Sequence, residues 1–246
     1  MIFKKTQKTP QLANNSQLLP ALIFAFILTI TTPQHTFAND EKGPILIELF
    51  TSKGCPACPP ADKNLSQLTQ NPKIIGISCH VTYFDRGSRK DKFSKPFCDA
   101  RQNIYKLALK TGGIFTPMMI INGKTLTTGV KPQHTQNIIN QAYKGKNYPV
   151  GLFKNDQYLD IQLPTITLQS DADIWLFEIQ KSAQHPGYTQ YRNIVTNITK
   201  LLRWDGKSTN MAFPVPPVQD SDPNTAFVIV AQTYKNGVIA IGHTGF

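Results

Sequence analysis

Gly54-Cys55-Pro56-Ala57-Cys58-Pro59-Pro60 decides how the rest of the chain is read. It follows an apolar run, Ile45-Leu46-Ile47-Glu48-Leu49-Phe50, that has the composition of a strand buried on both faces. A strand, then Cys-x-x-Cys, then a helical pattern is the context in which two thiols serve redox chemistry. Thiols three positions apart can close into one disulfide. At a helix N-terminus the dipole and the free N–H groups stabilise a thiolate, and only the thiolate attacks a disulfide sulfur. Lys53 adds a positive charge two residues upstream. The same spacing also suits a small closed disulfide that never turns over.

Working outward, Pro59 and Pro60 favour a helix start, because a missing N–H costs little in a first turn. Leu65 and Leu68 give that helix a buried stripe, and Asn71-Pro72 ends it. Ile74 to Val81 predicts a second buried strand. A polar, aromatic segment runs from Thr82 to Pro96. Cys98 to Lys110 then reads as a helix carrying Ile104, Leu107, Ala108 and Leu109, closed by Gly112-Gly113. Met118 to Ile121 is a third apolar run. Asn122-Gly123 is a hairpin signal that returns Lys124 to Val130 antiparallel, and Pro132 to Tyr143 closes as a helix. The first strands need crossovers, so they are expected parallel.

After Tyr148 short alternating runs take over, at 158–163, 173–179 and 226–232, with Asn236-Gly237 leading into 238–241. Residues 193–204 fit one or two further strands, and Pro214, Pro216, Pro217 and Pro223 mark a long loop. The expected organisation is a signal segment over 1–38, an α/β domain over 39–147 and a β-rich, sandwich-like module over 148–246.

The N-terminus places Lys4, Lys5 and Lys8 before an apolar run, Ala21 to Ile30, and then Thr36-Phe37-Ala38. Basic, apolar, cleavable is the order of a secretory signal peptide, and the apolar run is short for a membrane span. Cleavage after Ala38 removes three lysines and no acid from the 246-residue chain, lowering its net charge from +11 to +8. Export brings four cysteines into an oxidising compartment, where an even count favours disulfides. Cys55–Cys58 with Cys79–Cys98 is the expected pairing, since Cys-x-x-Cys is self-sufficient, and the second bond is read as structural, with a relay that exchanges with Cys55–Cys58 as the alternative. The basic cluster Arg86, Arg89, Lys90, Lys92 and Lys95 reads as a solvated loop, because no nucleic-acid module surrounds it. No phosphate loop, dinucleotide fingerprint or serine elbow is present.

The order strand, helix, strand, helix, strand, hairpin, strand, helix resembles the thioredoxin fold. The strand before Cys55-Pro56-Ala57-Cys58, the Thr116-Pro117 step and the Asn122-Gly123 hairpin carry that likeness. It implies a cis bond at Pro117, facing the cysteines and holding a substrate chain beside them. A closer resemblance is to an exported bacterial family labelled domain of unknown function 1223. It rests on Glu48 to Asp62, His80-Val81-Thr82-Tyr83-Phe84-Asp85, Arg101-Gln102 and Phe115-Thr116-Pro117-Met118-Met119. Cys79 and Cys98 depart from that family's common form. By this resemblance the protein is periplasmic or secreted.

The resemblance makes Cys55 the attacking thiol, open to solvent, and Cys58 the resolving one. Thr116 and Pro117 present the substrate backbone. Glu48 interrupts an apolar strand and is a candidate acid–base partner, since burial raises a carboxyl pKa. The alternative for Glu48 is a solvated strand end. His80 and Asp85 match the family pattern, with a satisfied core histidine as the plainer reading of His80. Asp62 reads as a carboxylate stabilising the helix dipole. The leading function is thiol–disulfide exchange with a protein thiol or disulfide, without cofactor, nucleic acid or a stable membrane span; the oligomeric state is left open. One alternative is Cu(I) binding by Cys55, Cys58, His80 and Met118. The other is a disulfide-stapled interaction module without catalysis.

Overall fold

The computed structural model describes residues 42–183, 191–215, 223–235 and 237–245. The signal segment expected over 1–38 lies outside them, as does most of the proline-rich loop between Pro214 and Pro223.

The first apolar run forms β1 (Ile45–Thr51), buried along its whole length. A tight turn leads into α1 (Pro59–Leu68), whose first two positions are the two prolines. Next come β2 (Ile74–His80), α2 (Pro96–Leu109), β3 (Met118–Ile121), β4 (Thr125–Thr127) and α3 (Pro132–Ala142). α2 starts two residues earlier than its apolar stripe suggests and ends on Lys110 in the left-handed region rather than on a glycine. Asn122 and Gly123 both carry positive φ at the centre of a turn closed by Lys124 N donating to the Ile121 carbonyl, and with Lys124 they make the three-residue connection between the paired Ile121 and Thr125.

The second half is all strand: β5 (Tyr148–Pro149), β6 (Gly151–Lys154), β7 (Tyr158–Leu163), β8 (Ala172–Ala183), β9 (Tyr191–Trp204), β10 (Thr209–Pro214), β11 (Thr225–Thr233) and β12 (Gly237–His243). The segment expected as one or two strands at 193–204 is one long strand. β6 and β10 are not signalled by the alternation.

The result is a mixed α/β structure dominated by a nine-stranded mixed sheet, in the order β4-β3-β1-β2-β9-β8-β11-β12-β5. β1 and β2 are parallel, whereas β1–β3 and β3–β4 are antiparallel. Strands from both sides of the composition change near 147 therefore share one sheet. The join is narrow: one parallel rung, Ser78 with Ile194. It is reinforced by Asn193 Nδ2 donating to the Gly76 carbonyl at 2.8 Å and Ser78 Oγ to that of Arg192 at 3.0 Å.

Alternation along the strands gives the sheet two distinct faces. Ile45, Ile47, Leu49 and Ile74 pack with Ala61 and Leu65 of α1 and Ile139 of α3. Leu46, Phe50, Ile75, Ile77 and Cys79 pack with Cys98 and Tyr105 of α2, in a cluster that continues to Phe177, Val228 and Ile241. The smaller sheet, β10-β7-β6, brings Leu152, Leu159 and Ile161 against Ile174, Leu176, Phe227 and Ile229.

Candidate functional site

The site is built where β1 ends. Thr51 is the last strand residue, and a turn follows in which Ser52 Oγ accepts from Gly54 N and the Ser52 carbonyl from Cys55 N, both at 3.1 Å. Cys58 N donates to the Cys55 carbonyl at 3.2 Å. Cys58 then caps α1 with helical dihedrals, φ −77° and ψ −36°, and its carbonyl accepts from Ala61 N and Asp62 N. Cys55 and Cys58 are bonded, with Cα atoms 5.5 Å apart. Cys79 and Cys98 form the second bond, buried on the α2 face.

One expectation is corrected here. Cys55 is 3 % exposed and Cys58 fully buried, so neither sulfur of the closed disulfide stands open. Pro56 and Ala57, between them, are the exposed part of the turn.

Thr116–Pro117 is cis. Phe50 pairs with Met118, so the next step of the register brings Pro117 to Thr51, at the sheet end from which the cysteine turn departs. α2 holds this bend. Gln102 Nε2 donates to the Phe115 carbonyl at 2.7 Å, and Gln102 Oε1 accepts from Tyr83 Oη at 3.3 Å.

Glu48 is not brought to the thiols. It shares a face with Leu46 and Phe50, towards α2, while the cysteine turn feeds α1 on the other. Arg101 grips it with two bonds of 2.9 Å, from Nε to Oε2 and from Nη2 to Oε1. Tyr105 Oη also donates to Glu48, and Arg101 Nη2 reaches Gln232 Oε1 of β11 at 2.8 Å. Burial raises the Tyr105 phenol well above its usual range, with Arg101 opposing and Glu48 adding to it, so it stays a donor. Beside this network lies a cavity of about 180 Å³ lined by Arg101, Tyr105, Trp175, Lys200 and Gln232; none of the cysteine turn lines it.

The copper set is likewise divided. Met118 packs on the α2 face, and its sulfur accepts from Gln102 at 3.4 Å. His80 alternates to the α1 face. Among the described residues no three His, Cys, Asp or Glu side chains converge to hold a metal.

What does gather at the α1 face is polar and buried. His80 stands opposite Thr51 in the register. Its Nδ1 lies 2.7 Å from Asp91 Oδ2, with both side chains fully buried. The ring is edge-on to Phe93 and Tyr191, at centroid distances of 5.5 and 4.7 Å. Asp91 Oδ2 also accepts from Lys53 N at 2.8 Å, which ties the 82–95 loop to the cysteine turn. Asp85 in turn accepts from Asp91 N at 3.0 Å and from Ser94 Oγ. Burial alone would raise the Asp91 carboxyl, but the imidazole and the backbone N–H groups of Lys53 and Phe93 outweigh it and hold the pKa at about 2.

Asp62 completes the group from the first turn of α1. It is 8 % exposed. Burial pushes its pKa up to about 6, against smaller downward pulls from the Thr51 hydroxyl and His80. Thr51 Oγ1, Asp62 Oδ1 and His80 Nε2 are buried and lack a partner in hydrogen-bond geometry. Asp91 and Thr51 were not marked by sequence reasoning, and Asp62 was assigned only to the helix dipole. The one signal for Asp91 is an acid lying inside the basic run Arg86 to Lys95.

Fold and site together define a mixed α/β protein with a cysteine pair closed at the head of its first helix, over a buried acid and histidine. The chain belongs to the DUF1223 family of proteins of unknown function, whose model matches residues 46–232. It is 28 % identical over 105 residues to a probable thioredoxin from Archaeoglobus fulgidus, covering 42 % of this chain and 96 % of that one. A crystal structure of an Agrobacterium tumefaciens protein matches with a TM-score of 0.71 and 25 % identity, over 83 % of this chain and 94 % of that one. HBP35 of Porphyromonas gingivalis matches with a TM-score of 0.58 and 12 % identity, over 83 % and 76 %, a likeness of fold. Among the described residues no helix is long and apolar enough to cross a membrane.

Proposed function

We propose that the protein is an exported thiol–disulfide oxidoreductase of thioredoxin-like fold, working through Cys55 and Cys58. The observation that carries this reading is the Cys55–Cys58 bond at the N-terminus of α1, directly after a buried strand. The strand order β4-β3-β1-β2 and the probable thioredoxin among the relatives support it. Two closed disulfides together with the signal-like N-terminus support export to an oxidising compartment.

In the reduced protein the Cys55 thiolate attacks one sulfur of a substrate disulfide. The substrate S–S bond breaks, and its leaving thiolate takes a proton. Cys58, deprotonated, then attacks the Cys55 sulfur of the mixed disulfide and releases the second substrate thiol. Two electrons have passed to the substrate, and the Cys55–Cys58 bond is closed. The reverse sequence donates a disulfide. Thr116 and Pro117, at the same end of the sheet, are the backbone against which a substrate chain lies. Burial of the closed pair means that Pro56-Ala57 must shift before a thiolate can reach either sulfur.

The test is reduction of the folded, signal-free protein by dithiothreitol, then stopped-flow reaction with oxidised glutathione, with Cys55→Ser beside it. The expected result is reversible exchange of one disulfide per chain, lost at least ~100-fold in Cys55→Ser, as for removal of an essential nucleophile. A Cys55–Cys58 bond that resists dithiothreitol until the protein unfolds would overturn this reading and leave a stapled interaction module.

A further inference from the structure

Buried polar side chains almost always find partners, so an orphan calls for an explanation. Among the described residues four buried side-chain atoms have none, and three of them, Thr51 Oγ1, Asp62 Oδ1 and His80 Nε2, belong to one cluster under the cysteine turn.

We propose that Asp62, with His80 beside it and Asp91 holding the imidazole, forms a buried proton store for the cysteine pair: one proton is taken up on the Asp62 carboxyl and is exchanged with the Cys58 thiol. The inference rests on the thiol-exchange reading above.

Three observations build it. First, Cys58 has helical dihedrals and its carbonyl accepts from Asp62 N, so the two side chains are neighbours on one helix face. That spacing brings Cβ atoms to about 5–6 Å. Second, Asp91 Oδ2 accepts from His80 Nδ1–H, which leaves Nε2 of the neutral ring as an acceptor. A carboxylate Asp62 is also an acceptor. Thr51, across the rung from His80, can offer only one hydroxyl proton to both. A proton on the carboxyl supplies the donor that this group of acceptors lacks. Third, burial raises the Asp62 carboxyl to about 6, so it gains and loses its proton about one unit below neutral pH rather than far below it.

The step balances without any further reactant. In the mixed disulfide, Cys58 gives its S–H proton to the store and its electron pair to the new bond with Cys55 Sγ. The substrate thiolate leaves with the electron pair of the broken S–S bond. On reduction the proton returns to Cys58. Asp62 is the member that meets the thiol; His80 and Asp91 are positioning residues. The titratable and charged groups around the store are Asp91 and Asp85 from the 82–95 loop, Lys53 from the cysteine turn, Tyr191 from β9 and the two thiols.

The experiment follows the resolving step, glutathione release from the Cys55 mixed disulfide, in the signal-free protein between pH 5 and 9. In the wild type a break near pH 6 is expected from Asp62. Asp62→Asn should abolish the break and slow resolution at neutral pH by ~100-fold, the low end for general acid–base catalysis. Cys55 alkylation should change much less. His80→Gln removes a neighbour that lowers the Asp62 carboxyl and should move the break up; Asp91→Asn removes one that raises it and should move the break down. A folded, exchanging Asp62→Asn protein with the wild-type profile would overturn the store and leave the redox reading standing. A wild type that does not exchange at all would overturn both. A measurement needing no variant is the infrared difference spectrum between dithiol and disulfide forms. A protonated-carboxyl band that changes with redox state is expected, and its absence would overturn the proposal.

Discussion

Two buried polar networks flank the same strand and differ in one respect. On the α2 face Glu48, Arg101, Tyr105 and Gln232 close on one another, and both carboxylate oxygens of Glu48 are bonded. On the α1 face Asp62, His80 and Thr51 leave three atoms unpaired, although Asp91 is fully engaged. A closed network fixes geometry: Arg101 joins β1 to β11 across the join of the sheet. An open one keeps a protonation state available and so suits chemistry. An acid buried in a strand is therefore a weaker pointer to a site than an acid buried beside an unsatisfied histidine.

The largest effect expected from this contrast is on the closed side. Arg101→Met leaves Glu48 buried without its charge partner and should cost about 3–5 kcal/mol by chemical denaturation at neutral pH. Exchange at Cys55–Cys58 in the protein that remains folded should be unchanged. Glu48→Leu combined with Arg101→Met should recover much of the loss, because a well-packed apolar pair avoids the desolvation of two charges. A large drop in exchange rate in the folded Arg101→Met protein would break the division between the two faces.

The second expectation concerns the staple. Cys79 and Cys98 lie nineteen positions apart on the α2 face, and the loop they enclose carries Asp91 to His80 on the other face. Replacing both with Ala should lower stability by about 3 kcal/mol, from the loop length in the chain-entropy model. Hydrogen exchange should rise first at Asp91 and Phe93, whose amides bond within this loop. Exchange rising uniformly along the chain instead would mean that the staple serves the whole core rather than the Asp91 loop.

How much of this was legible follows from the range of each interaction. The Cys-x-x-Cys turn, the two prolines opening α1 and the Asn122-Gly123 hairpin are local, and the chain folds as those patterns require. Glu48 is visible as an acid in an apolar strand, buried or at a solvated end, but its partner Arg101 is 53 residues away and Gln232 a further 131. No periodicity records such distances. Asp62 looked ordinary because an acid in a first helical turn usually serves the dipole. Only the Thr51–His80 rung, with Asp91 behind it, gives it a different setting. The openness expected of Cys55 failed for a similar reason: spacing places a turn but not the exposure of its sulfurs.

The smallest effect has the opposite sign and is the sharpest test of the comparison. The Asp62 carboxyl sits at about 6 in the folded protein, against 3.8 without burial. A raised acid stabilises the fold while it is protonated, and that contribution is complete below the unfolded value. It is lost as pH climbs through the folded one. The wild type should therefore weaken relative to Asp62→Asn between pH 4 and pH 7. The shift corresponds to at most about 3 kcal/mol, and about 2 of it falls between pH 4 and pH 7, because part is already lost at pH 4. Denaturation at pH 4, 5, 6 and 7 measures it directly. Parallel curves for wild type and Asp62→Asn would put Asp62 in the same class as the closed network and erase the distinction between the two faces.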